Sequence, residues 1–211
     1  MNNKDIYRYP FASTLASEVL NVPLLDKEKY LLKVKYGIKE DKVIIGVGQF
    51  IPRKGFDVLL NSLALLNNPN VGCYIIGGTP TENYLNIIKN NNLQNIHFLP
   101  FLDRKTLAEY YRLSDVFVLP TREDIWGLVI NEAMANGLPV ITTDKCNAGL
   151  AMVTNKNGAI IPVDSIEKLA ASLNLILSDD TLRQSMGEKS LETIQNFTIE
   201  KMAEKHSEVL L

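Results

Sequence analysis

Asp115-Val116-Phe117-Val118-Leu119 is a short apolar run of strand length, and Leu128-Val129-Ile130-Asn131-Glu132-Ala133-Met134-Ala135 behind it has the length and apolar content of a short helix. Asn136-Gly137 follows, where glycine suits the left-handed turn after a helix, and Pro139-Val140-Ile141-Thr142-Thr143 is a second β-branched run. A strand, a helix and a strand on short links form a βαβ unit, whose two strands lie parallel in one sheet.

The same alternation extends in both directions from Lys42 onward. Further strands are predicted at Val43–Gly48, Gly72–Gly77, Asn95–Leu99 and Ala159–Pro162. Between them lie apolar stripes of helical period: Phe56, Leu59, Leu60, Leu63 and Leu66; Tyr84, Leu85 and Ile88; and Leu107, Tyr110 and Tyr111 behind the cap residue Asp103. Asn90-Asn91-Asn92 reads as a helix end and turn. After the sixth strand the pattern is helical only, over Ile166–Leu177, Thr181–Ile194 and Thr198–Leu210, each opening at Ser, Thr or Asp. Before Lys42, Asp26–Gly37 reads as one helix closed by its glycine. Ile6–Pro10 and Phe11–Leu25 have no clear period and carry the aromatics Tyr7, Tyr9 and Phe11, as a connection would. The fold class is therefore α/β, a Rossmann-like parallel sheet of about six strands flanked by helices.

A chain of 211 residues with 46% apolar and 22% charged residues has material for one sizeable core, and this composition excludes disorder and collagen-like structure. Lys and Arg number 22 against 24 Asp and Glu, for a net charge of -2, so no general positive field attracts nucleic acid and any anion site is local. Cys73 and Cys146 form no CxxC pair and read as reduced cytosolic thiols. No run approaches the length of a membrane span, and Met1-Asn2-Asn3-Lys4 opens no signal-peptide pattern, so a soluble cytoplasmic protein is expected.

Open parallel sheets bind ligands beyond the carboxyl ends of their strands, which directs attention to the loops there. Gly46-Val47-Gly48-Gln49-Phe50-Ile51-Pro52-Arg53-Lys54-Gly55 follows the first strand. It resembles a dinucleotide fingerprint but lacks the third glycine, and the second strand runs into Gly77-Gly78 instead of a ribose-binding carboxylate, which disfavours a nicotinamide cofactor. Arg53 and Lys54, at the start of a helix, make a cradle for a diphosphate; the alternative is a pair of solvated surface cations. After the fourth strand, Glu123 and Asp124 precede a helix whose first amides, at Gly127, Leu128 and Val129, point back to the same edge. Glu123 alone is well explained as compensation of the helix dipole. Glu132 lies more than a turn into an otherwise apolar helix, where an unpaired charge is costly, and needs a hydroxyl or cation partner. Only His97 and His206 offer imidazole, Asp179-Asp180 opens a helix far from this edge, and no metal site is apparent. Both histidines read as structural, with Nε2 of His97 able to approach a bound base.

Taken in order, these residues resemble a known family. Asp124-Ile125-Trp126-Gly127-Leu128-Val129-Ile130-Asn131-Glu132 resembles the "E, seven residues, E" signature of retaining GT-B glycosyltransferases of the group 1, or family four, type, found among capsule and lipopolysaccharide enzymes. Val47-Gly48 with Arg53-Lys54-Gly55, Ile75-Ile76-Gly77-Gly78, Leu113–Pro120 and Asn157-Gly158 agree with it over about residues 42–195. The resemblance implies that Glu132 binds the ribose hydroxyls of a nucleotide diphosphate sugar and Asp124 the hydroxyls of its sugar. Arg53 and Lys54 would hold the diphosphate without a metal, assisted by the amides of Gly127, Leu128 and Val129, and no cofactor is implied. The base would lie near Phe98, Leu99 and onward to Leu102, with Gly48, Gly77 and Gly78 leaving room. Two positions depart from the pattern. Asp124 stands where the family has Glu, with Glu123 beside it also able to reach the sugar, and Ala151 stands where an acid is usual.

Such enzymes are built from two facing Rossmann-like domains, and this chain carries only the donor-side motifs. The resemblance therefore assigns residues 1–41 to an interdomain linker and leading helix, 42–195 to the donor-binding domain, and 196–211 to a helix crossing back to an N-terminal domain. It implies a nucleotide-sugar donor, a carbohydrate or lipid-linked acceptor and a role in surface polysaccharide synthesis. The location is the cytoplasm or the inner face of the membrane, with peripheral association through the missing domain. On this reading the fragment alone is inactive. The alternatives are a stand-alone nucleotide-binding module and a GT-B-like nucleotide-sugar epimerase.

Overall fold

The computed structural model of the chain describes residues 11–210. Tyr7, Tyr9 and the Ile6–Pro10 segment lie outside the described residues. In chain order the elements are α1 (Asp26–Tyr36), β1 (Lys42–Val47), α2 (Phe56–Leu66), β2 (Val71–Ile76), α3 (Glu82–Asn90), β3 (Ile96–Leu99), α4 (Arg104–Leu113), β4 (Val116–Leu119) and α5 (Leu128–Ala135). They continue with β5 (Val140–Thr143), α6 (Asn147–Met152), β6 (Gly158–Ile161), α7 (Ile166–Ser178), α8 (Asp180–Ile194) and α9 (Ile199–Leu210).

The six strands form one parallel sheet in the order β3-β2-β1-β4-β5-β6. Both faces are covered, and alternate residues of each strand enter opposite halves of the core. Ile44, Ile75, Val118 and Ile141 pack with Phe56, Leu59, Leu60 of α2 and Leu169, Leu173 of α7. Val43, Ile45, Phe117 and Val140 pack with Tyr111 of α4, Ile130 and Met134 of α5 and Leu191 of α8. The strand order reverses direction at β1 and β4, so the loops leaving these two strands flank the crevice where this architecture binds ligands.

Every predicted strand is present to within about one residue, as are the helices, with Asp103 capping α4 through Thr106 N at 3.0 Å. One element differs from the sequence reading. Asn147–Met152 is a helix, α6, although the sequence reading places no helix between the strands at Pro139–Thr143 and Ala159–Pro162. At under two turns it is too short to display a period.

Candidate functional site

The two loops at the strand-order reversal are fastened to each other. After β1 the chain makes a 3-10 turn over Pro52–Lys54, and Gly55 then adopts φ +69°. A Cβ at Gly55 would lie 2.0 Å from the carbonyl oxygen of Pro120, so only glycine allows the loops to cross this closely. Arg122 N donates to Arg53 O at 2.8 Å. The Thr121 hydroxyl lies 2.9 Å from the same carbonyl, and Thr143 Oγ1 donates to Thr121 O at 2.6 Å. Arg122 adds a two-pronged bond to Asp57, at 3.0 and 2.7 Å, and a contact of 2.8 Å from Nε to the Asp164 carboxylate. The first of these partners, Asp57, raises the guanidinium pKa further and keeps the clamp charged.

This scaffold presents a cluster of two cations and one acid. Lys54 Nζ lies 2.6 Å from Asp124 Oδ2, with only 14% and 13% of the two side chains exposed. Arg53 is more open; its Nη1 donates to Glu123 O at 2.8 Å and stands 3.8 Å from the same Asp124 oxygen. The Glu123 side chain is exposed. Asp124 owes its position to a backbone bridge with Cys146: Asp124 N donates to Lys145 O at 2.9 Å, and Asn147 N to Asp124 O at 3.3 Å. Gly127 then turns with φ +97°, against the sulfur of Cys146, where a Cβ would come within 2.8 Å. It opens α5 without a side-chain cap, leaving first-turn amides available to an anion.

Glu132 stands apart from that cluster, on the wall of a neighbouring cavity of about 800 Å³ lined also by Leu102, Arg104, Tyr111 and the preceding segment at Ser13 and Thr14. The hydroxyl partner its setting requires is Tyr111, which donates to Glu132 Oε2 at 3.0 Å. Burial raises the carboxyl pKa, and the Tyr111 bond only partly opposes this. The other predicted positions lie on the β2–β3 side of the site. Gly77 and Gly78 both donate to Leu99 O, at 3.1 and 3.3 Å, which leaves that carbonyl occupied; the Phe98 ring packs edge-on against Phe50 at 5.1 Å. Gly48 lies against the aliphatic part of Lys54. His97 does not approach this region: its Nε2 is 2.8 Å from Glu40, and its ring stacks on Tyr74 at 4.3 Å. Among the described residues, no three His, Cys, Asp or Glu side chains gather as metal ligands.

Residues 29–193 match the model of the glycosyl transferases group 1 family. The chain belongs to that family. It is 32% identical over 188 residues to a D-inositol 3-phosphate glycosyltransferase of Jonesia denitrificans, covering 83% of this chain and 44% of the relative. It is 29% identical over 182 residues to the capsular polysaccharide biosynthesis glycosyltransferase CapM of Staphylococcus aureus, covering 82% and 46%. Its fold matches that of Anabaena HepE in complex with UDP and glucose, with a TM-score of 0.78 and 20% identity over 89% of this chain and 53% of that one. The chain thus spans less than half the length of the two curated relatives.

In this group 1 glycosyl transferase chain the crevice combines two cations, one acid and uncapped amides, with a second acid, Glu132, on the wall of the neighbouring cavity. Sequence reasoning alone missed Arg122, Thr121 and the role of Tyr111. Arg122 has no periodic signature, and Tyr111 reads as one more residue of an apolar stripe. No described helix is long and apolar enough to cross a membrane.

Proposed function

We propose that this chain is the donor-binding half of a retaining glycosyltransferase that moves a sugar from a nucleotide diphosphate sugar to a carbohydrate or lipid-linked acceptor in surface polysaccharide synthesis. The observation that carries the reading is the Lys54–Asp124 pair at the strand-order reversal, beside Arg53 and the uncapped start of α5. Lys54 exchanges Asp124 for the diphosphate when the donor binds, and Asp124 is thereby freed for hydroxyls of the sugar. As the glycosidic bond breaks, negative charge grows on the diphosphate. Lys54, Arg53 and the amides of Gly127, Leu128 and Val129 stabilise it, so the leaving group needs no metal ion. Glu132, steadied by Tyr111, accepts from the ribose hydroxyls, and the base rests toward Phe98–Leu102.

In this reading residues 1–41 and 196–211 connect the donor domain to an acceptor-binding domain, and the place of action is the cytoplasm or the inner face of the membrane. Capsule synthesis by CapM and the UDP and glucose bound in HepE support the substrate class. The test is to incubate the full-length protein with UDP-, GDP- and ADP-hexoses and an oligosaccharide acceptor, and to read the product anomer by NMR. Retained configuration is expected, with turnover lost in Lys54→Ala and Glu132→Ala. An inverted product overturns the mechanism. Conversion of the donor without any acceptor favours an epimerase, and nucleotide binding without any product favours a binding module.

A further inference from the structure

One buried side chain joins three distant segments. Asn131, next to Glu132 on α5, has no solvent exposure. Its Oδ1 accepts from Trp126 Nε1 at 3.0 Å, and its Nδ2 donates to the carbonyls of Phe11 at 3.1 Å and Phe197 at 3.4 Å. Around this amide the Trp126 ring meets Phe11 edge-on at 5.9 Å and Phe197 at 6.5 Å. Phe11 belongs to the chain leading into the domain and Phe197 to the chain leaving it. The same two segments meet again where Ile199 N donates to Thr14 O at 3.0 Å and Ala16 N to Glu200 Oε2 at 2.9 Å.

Trp126 lies between Asp124 and Gly127, and its carbonyl accepts from Ala148 N at 2.9 Å. Trp126 is two residues from Asp124 and adjacent to Gly127, so a backbone shift at Trp126 displaces both the acid that engages Lys54 and the first amides of α5. An apolar side chain at this buried position would carry none of the desolvation cost of an amide. What the amide adds is direction, since a fully satisfied buried network admits one arrangement of its partners.

We propose that Asn131 is a positioning residue for the donor loop. It holds Trp126, and through it Asp124 and Gly127, in register with the entering segment at Phe11 and the leaving segment at Phe197, so that the geometry of the donor site depends on where those two segments lie. This rests on the donor-binding reading above.

Trp126 is the single tryptophan of the chain, so its emission reports on this junction directly. UDP, GDP and ADP are titrated into the protein and each variant by calorimetry, with tryptophan emission followed in parallel in every protein except Trp126→Phe, which has no tryptophan, at a temperature where circular dichroism shows each variant folded. The variants are Asn131→Leu, which keeps an apolar filling; Trp126→Phe, which removes the same bond from the other side; and Ser190→Ala. Ser190 is a buried control whose hydroxyl donates to Leu138 O at 2.7 Å. For the wild type, emission is expected to change along the calorimetric curve of whichever nucleotide binds. Asn131→Leu and Trp126→Phe each weaken that binding by about tenfold or more, whereas Ser190→Ala lowers the melting temperature and leaves affinity within about twofold. Wild-type affinity in both Asn131→Leu and Trp126→Phe overturns the positioning role while leaving the donor reading intact. Absence of binding of all three nucleotides to the wild type overturns the donor reading and this inference with it.

Discussion

β4 has an aspartate near each end, and the two residues have opposite fates. Asp115, just before the strand, is 3% exposed, with Lys29 Nζ at 3.3 Å, Lys33 Nζ at 3.8 Å, Arg183 Nε at 3.2 Å and Val43 N donating at 2.8 Å. Asp124, in the loop after it, has Lys54 at 2.6 Å and Arg53 only at 3.8 Å. The first acid is saturated by cations from α1 and α8 and by a strand amide, so it ties two helices to the sheet. The second holds cations that belong to one short loop beside uncapped amides. Acid and cation types are alike at the two ends, and what separates architecture from a binding site is how fully the acid is satisfied and whether a ligand can reach its partners.

The largest effect should follow from Asp115→Asn. It leaves Lys29 and Arg183 without their buried countercharge and should cost about 3–5 kcal/mol of folding stability, read by thermal or urea unfolding. Nucleotide affinity at temperatures where the variant is folded should not change. Burial alone would raise the Asp115 pKa, but Lys29, Lys33, Arg183 and the Val43 amide outweigh it and hold the carboxyl below its ordinary 3.8. Its stabilising contribution is therefore complete above that value and is lost as pH falls through the lower folded value. The acid limb of the wild-type stability curve should flatten in Asp115→Asn.

Lys54→Ala should show the reverse pattern. Loss of one charge-assisted bond to the diphosphate should weaken nucleotide binding by about 2 kcal/mol, with a much smaller change in melting temperature than Asp115→Asn. Equal losses of stability and affinity in the two variants would erase the contrast between the ends of β4.

Glu132→Gln should be the smallest of the three and opposite in sign for stability. Burial raises the Glu132 carboxyl, so its charged form is a cost to the fold that grows as pH rises through the folded value. The variant should melt at or above the wild-type temperature at pH 8, with less gain at pH 5. It should bind nucleotide about tenfold more weakly, because an amide replaces a double acceptor of ribose hydroxyls.

The sheet was readable because its strands are apolar runs bounded by Gly, Pro, Asn or Asp, so that even their ends fall within about one residue. The positions of Lys54 and Asp124 after their strands were equally plain. Their contact was not, because it depends on β1 and β4 being neighbours, a matter of strand order that no local period encodes. The same holds for Arg122, whose partners Asp57 and Asp164 come from two other parts of the chain. Glu132 announced its need for a partner through the cost of a charge in an apolar helix, yet Tyr111 was hidden in a core stripe. His97 showed the converse: a histidine near the proposed base region, but claimed by Glu40 and Tyr74.

The central claim is that the crevice between the β1 and β4 loops binds a nucleoside diphosphate through Lys54. Calorimetric titration of UDP, GDP and ADP into the wild type and Lys54→Ala, at low and high salt, tests it most directly. At least one nucleotide should bind the wild type, more weakly as salt rises, and Lys54→Ala should bind it about thirtyfold more weakly with a shallower salt dependence. Binding of equal strength in the two proteins, or no binding of any nucleotide to the wild type, would contradict it.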